Sequence, residues 1–172
     1  MNTHKTAKFH SVFFALLLSL GCANAAAETR IAVLDFELKD LTLAPRIPAE
    51  IERTATVKPL LENELKNSGY TIVSIPQDAQ LSATSGTGYL FDHHDVAAQL
   101  GSQYGADYVV VGRLHKPSFL FVYLMAHLID VSNGKLIGDY ISEVKGGEKK
   151  LTLKGVESLA VKINDTLSTT TQ

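Results

Sequence analysis

The chain has 172 residues, 45% of them apolar and 20% charged, with 16 basic residues against 18 acidic ones. That length suits one domain with an ordinary core, and the slightly acidic balance argues against nucleic acid or an anionic membrane surface as a general partner. Cys22 is the only cysteine, which excludes an internal disulfide and a cluster of thiolate metal ligands.

Lys5 and Lys8 precede an apolar run from Val12 to Leu20, and small residues follow, ending Ala23-Asn24-Ala25. A basic start, a short apolar core and an A-x-A ending are the parts of a secretory signal peptide, so residues 1–25 are expected to be removed on export to the periplasm. The remaining 26–167 should form a single α/β domain, with 168–172 a disordered tail. Cleavage after Ala25 leaves no cysteine, 14 basic residues and 18 acidic ones. Lipid attachment at Cys22 is the competing reading, but Ser19 and Leu20 depart from the Leu and small residue expected before a lipidated cysteine. No later stretch is apolar and long enough to act as a transmembrane anchor.

Arg30 to Leu38 is apolar at most positions, which predicts a central strand buried on both faces. Pro48 to Lys66 places Val57, Leu60, Leu61 and Leu65 on one helical face, with Pro59 inside and Gly69 as a stop. A short strand over 70–75 and a polar loop over 76–88 follow, then a helix from about His93 to Tyr104. Gly105 to Gly112 opens a third strand, Lys116-Pro117-Ser118 makes a tight connection, and a long fourth strand runs from Phe119 to Val131. Asn133-Gly134 predicts a type I′ hairpin turn into a fifth strand over 135–145. Gly146-Gly147 ends it, and Val156, Leu159, Ala160 and Ile163 mark a last helix over 153–167. The expectation is an α/β (α+β), two-layer fold in the order βαβαβββα, a mixed sheet of about five strands with helices mainly on one face.

These segments carry a resemblance. Ala32-Val-Leu-Asp-Phe-Glu37, Leu100-Gly101 through Gly105-Ala-Asp-Tyr-Val-Val-Val-Gly112, His115-Lys116-Pro117-Ser118-Phe119-Leu120, and Ile129-Asp130-Val131 with Gly134 together resemble the exported bacterial family catalogued as domain of unknown function 2380. The resemblance spans most of the chain and implies export but no activity. The family's usual Val-Gln-Lys-Val-Ser is replaced here by Leu114 to Ser118, so His115 and Pro117 are departures. More distantly, the strand–helix–strand pattern is similar to envelope modules of the Tol-Pal amino-terminal and curli-secretion type, which implies a role in assembly or interaction.

The fourth strand separates its residues onto two unlike faces. Leu120, Val122, Leu124, Ala126 and Leu128 suit a surface beneath helices; Phe119, Phe121, Tyr123, Met125 and His127 form an aromatic, adaptable one. Pairing Phe119 with His115 would set Arg113 opposite Phe121, and the Asn-Gly turn would set Tyr140 opposite His127 and Ser142 opposite Met125. Arg113, His115, Phe119, Phe121, Tyr123, Met125, His127 and Tyr140 are therefore the candidate partner-binding residues, with Arg113 available to Phe121 and to an acid on a partner. Burial of this face under another helix is the structural alternative.

Asp92-His93-His94-Asp95 invites a metal reading, but adjacent helical residues diverge by about 100°, so His93 and His94 are only a weak pair, better explained with Asp92 as an N-cap. Ser82 to Gly88 has glycines spaced as in a phosphate cradle but lacks the Gly-Lys-Ser ending of a nucleotide loop. No nucleophile elbow, carboxylate pair or histidine-metal motif marks an enzyme, and no cofactor is expected. The function expected is a non-catalytic periplasmic interaction or assembly module that binds an envelope protein or itself; the alternative is a periplasmic carrier of a metal or small ligand.

Overall fold

The computed structural model describes residues 28–145 and 149–170. The expected signal peptide with Cys22, and the expected break at Gly146-Gly147, lie outside the described residues. Six strands form one mixed sheet: β1 (Arg30–Val33), β2 (Glu37–Asp40), β3 (Thr71–Val73), β4 (Tyr108–Lys116), β5 (Phe121–Asp130) and β6 (Lys135–Lys145). Five helices join them: α1 (Pro48–Asn67), α2 (Gln77–Ala83), α3 (Tyr89–Asp92), α4 (His94–Gln103) and α5 (Lys149–Thr170). The sheet runs β3-β1-β4-β5-β6, with β2 also on β4; β1, β2, β3 and β4 are parallel and β5 and β6 antiparallel.

Both faces of the sheet are apolar because both carry helices. The two long helices α1 and α5 pack on one face, burying Val57, Leu61, Leu65, Val156, Leu159 and Ile163 against Val110, Leu114, Leu124 and Leu128. The short helices α2 to α4 cover part of the other face, where Leu90, Phe91, Ala97 and Leu100 meet Ala32, Val109, Val111 and Ile129.

The expected first strand is two. After Val33 the chain breaks: the N–H of Leu34 still reaches the Val110 carbonyl (2.9 Å), but the N–H of Asp35 donates to Gln80 Oε1 (2.9 Å). Phe36 then turns its ring onto Gly112, where a Cβ would lie 2.1 Å from the ring. The chain resumes as β2 alongside the second half of β4. Gln80 also donates to the Ile75 carbonyl (2.9 Å), so the segment expected to be a polar loop holds helix α2, started by Pro76 and Asp78. Asp92 is not an N-cap. It ends α3, and His93 occupies the cap position of α4 without a side-chain cap bond; Asp95 does lie in the first turn. Helix α5 extends past Leu167 to Thr170, so the expected tail is helical up to there.

Both hairpin registers differ from expectation. The β4–β5 connection is longer, with Ser118 Oγ accepting the N–H groups of Leu120 and Phe121 (both 3.3 Å), and His115 pairs with Tyr123 and Arg113 with Met125. This four-residue shift keeps each side chain on its expected face. The β5–β6 turn is not type I′. Asp130 accepts from the Ser132 N–H (2.8 Å), the Ser132 hydroxyl (2.7 Å) and the Asn133 amide (2.8 Å), which holds a four-residue turn in which Gly134, and not Asn133, has positive φ. His127 therefore pairs with Asp139, Ala126 with Tyr140, Met125 with Ile141 and Leu124 with Ser142. A one-residue slip exchanges faces, so Tyr140 lies on the α1/α5 side, its hydroxyl donating to Thr166 Oγ1 (2.7 Å).

Candidate interaction surface

On β4 and β5 the alternate residues Arg113, His115, Phe121, Tyr123, Met125 and His127 share the face covered in part by α2 to α4, as the pleat requires. Phe91, at the end of α3, lies against His127 with ring centroids 3.8 Å apart and planes tilted by 30°, and the Arg113 guanidinium lies over the Phe91 ring, 4.1 Å from its centroid. Arg113 is therefore 8% exposed and pairs with Glu37 (3.5 Å), whose other oxygen accepts the N–H of Gly88 (2.8 Å). The expected contact of Arg113 with Phe121, and its availability to a partner, are both replaced by this internal cluster. Its Nε and Glu37 Oε2 are buried without hydrogen bonds.

His127 is brought to a second histidine that spacing in the sequence could not supply. His94 Nε2 lies 3.0 Å from His127 Nδ1, which is also 3.1 Å from the Phe91 carbonyl. A carbonyl only accepts, so the tautomer with the hydrogen on His127 Nδ1 satisfies the Phe91 carbonyl, while the opposite tautomer accepts from His94 Nε2. His127 Nε2 faces Asp139 at 3.5 Å. Burial, together with His94 and Arg113, pushes the His127 pKa below its ordinary value against the opposing pull of the Phe91 carbonyl and Asp139. His93 instead stacks on Tyr89 (4.0 Å) and bonds its carbonyl, so His93 and His94 point to different neighbours. Among the described residues no group of three or more His, Cys, Asp or Glu side chains is placed to hold a metal ion.

The helices stop short of the far end of this face. Tyr123 and Met125 are half-buried, whereas Phe121 is 41% exposed; Phe119 (63%) and Leu120 (72%) are exposed in the β4–β5 connection that precedes the strand. Ile141, opposite Met125 on β6, adds a further exposed apolar side chain at 50%. His115 is half-buried beside Tyr123, with ring centroids 6.4 Å apart, and Lys116 Nζ sits 5.7 Å from the Phe119 ring. By register Phe121, Tyr123, Met125 and Ile141 are neighbours on one face and form a contiguous strip from the start of β5 to β6, while the Phe119 ring lies beside Lys116 Nζ, which turns to Glu50 of α1. Sequence reasoning missed Ile141 because the register of β6 was needed to place it, missed Phe91 and Glu37, and named His94 only as a weak metal pair with His93, because their contacts cross the fold.

The fold and this open strip define a small α+β domain on a half-parallel sheet. The chain belongs to the DUF3280 family, described as a protein of unknown function (DUF2380), whose model matches residues 29–163. Its fold is similar to that of PelC from Paraburkholderia phytofirmans, solved as a dodecamer: 16% identity, 81% of this chain and 87% of that one, TM-score 0.53. It is also similar to lipoprotein GNA1162 from Neisseria meningitidis, with 17% identity over 81% of this chain and 99% of that one, TM-score 0.50. TolB from Acinetobacter baumannii shares 16% identity and a TM-score of 0.50 over 81% of this chain, which matches 28% of TolB. No curated protein matches the chain.

Proposed function

We propose that this protein is a non-catalytic interaction module of the bacterial envelope, exported to the periplasm, that binds a protein partner or a second copy of itself through the open strip of its sheet. The observation that carries the reading is the strip itself: Phe121 and Ile141 remain exposed beside half-buried Tyr123 and Met125, on the sheet face that α2 to α4 cover only in part. Contiguous apolar surface of this kind marks interaction sites, and aromatic side chains with Met are the residues enriched there. Similarity in fold to a lipoprotein and to a dodecameric protein supports an envelope setting and an assembly role. The contact residues in this reading are Phe121, Tyr123, Met125 and Ile141; Arg113 and His127 support them from beneath, and Tyr140 takes no part.

The test is crosslinking and native mass spectrometry of periplasmic protein with Phe121→Ser and Tyr123→Ser combined. Loss of a crosslinked partner or of the oligomer, with an unchanged helical circular dichroism spectrum, is the expected result. An unchanged crosslinking pattern in the folded variant would place the contact elsewhere.

A further inference from the structure

The strand order β3-β1-β4 has a topological consequence independent of the aromatic strip. The chain leaves β1 for β3 over α1 on one face of the sheet, then returns from β3 to β4 over α2 to α4 on the other. Neighbours of β1 reached by crossovers on opposite faces leave a crevice outside its carboxyl end, the position at which open α/β sheets bind ligands. A cavity of about 630 Å³ occupies that crevice, within the range of small-molecule sites. Asp35 and Glu37 line it just beyond β1, Lys58 and Thr54 come from α1, and Gln77 and Thr87 from the segments that open α2 and α3. Thr87, from the Ser82 to Gly88 segment whose glycine spacing stood out in the sequence, thus lies at one edge.

The charges in this cavity define the ligand. Asp35 holds Lys58 at 2.9 Å but is still 46% exposed along its side chain, so its carboxylate has room for a second donor. Arg46 also lines the cavity. Its backbone is fixed in the left-handed region (φ 59°) with its N–H donated to Asp40 Oδ2 (3.2 Å), and its guanidinium makes no ion pair among the described residues. The Thr87 hydroxyl and the Gln77 amide likewise have no hydrogen-bond partner among them. A plain anion would meet Asp35 and Glu37, and a plain cation would meet Arg46 and Lys58. A molecule with an oxyanion at one end and an ammonium at the other satisfies both, and Phe36, Leu38 and Ile51 supply an apolar wall for what lies between.

We propose that the crevice at the carboxyl end of β1 binds a small zwitterion of the amino-acid or short-peptide class, its carboxylate on Arg46 and Thr87 and its ammonium on Asp35. The experiment is a titration of the ¹⁵N-labelled protein with trialanine, with N-acetyl-trialanine and trialanine amide as ligands that each lack one charge. Saturable shifts at Asp35, Glu37 and Thr87 are expected with trialanine, with affinity lower by about tenfold for either capped peptide and for Arg46→Ala or Asp35→Asn, since each loses a charge-assisted hydrogen bond. The amide dispersion of both variants checks that they are folded. Absence of saturable shifts, equal binding of the capped peptides, or unchanged binding by both folded variants would overturn the proposal.

Discussion

Glu50 lies 7% exposed between two cations, with Lys116 Nζ 2.8 Å from one oxygen and Arg53 3.5 Å from the other. Arg53 in turn donates to Thr152 Oγ1 (2.8 Å), so one carboxylate joins the start of α1, the end of β4 and the start of α5. Removing one member of a buried pair leaves the other charge without compensation. Glu50→Ala should therefore lower stability by about 3–5 kcal/mol in urea unfolding, whereas Glu50→Met combined with Lys116→Met should recover only part of the loss, because Arg53 still loses its carboxylate. A small effect of the single substitution would show that Lys116 finds water or another acid. Gly112 illustrates a different residue-scale constraint, since the Phe36 ring fills the volume of a side chain there and the break between β1 and β2 depends on that ring.

Strand β5 is the element in which two functions of apolar surface separate. Leu124 is fully buried beneath α5, while Phe121, on the other face of the same strand, stands 41% exposed. Leu124→Ala should cost about 2–5 kcal/mol, because it opens a cavity in a closed core. Phe121→Ser should cost less than about 1 kcal/mol in the isolated protein and act instead on association. Equal losses from the two substitutions in denaturant unfolding would show that the aromatic strip is core. At the same scale, β6 is bound into the domain by Tyr140 on one face and by the Asp139–His127 contact on the other.

Two histidines link stability of the whole molecule to pH. Burial depresses the pKa of His127, and also that of His115, where Lys39 and Arg113 add repulsion. In the unfolded chain each takes up a proton near its ordinary value of about 6.5, whereas the folded chain resists it. The unfolded state then binds more protons, so the stability these groups contribute is present above that value and is lost as pH falls through the lower folded pKa. The unfolding temperature should drop between pH 7 and the acid side of the histidine range, and His127→Gln should flatten part of that drop. A profile independent of pH across this range would contradict it. Asp40 and Asp130 act lower down: burial opposes their ionisation, but hydrogen bonds from Thr42 and from Ser132 hold their pKa values below the ordinary carboxylate range, and their contribution is lost only in stronger acid.

What the sequence determined by itself is local. Apolar patterning together with Gly, Pro and Asn-Gly turn signals placed α1, α4, β4, β5, β6 and α5 to within a few residues, because both are written in consecutive side chains. The two unlike faces of β5 were legible for the same reason. The tertiary structure decided what depends on contacts between distant segments. Gln80 and Phe36 divided the first strand and gave α2 its place; Asp130 reset a turn that Asn133-Gly134 alone would have made tighter, and so moved Tyr140 to the opposite face. Arg113 met Phe91 and Glu37 instead of Phe121, and His127 met His94, because α3 and α4 cross that part of the sheet. Repeat patterns assign a residue to a face of its own element; only packing decides what covers that face and what leaves it open.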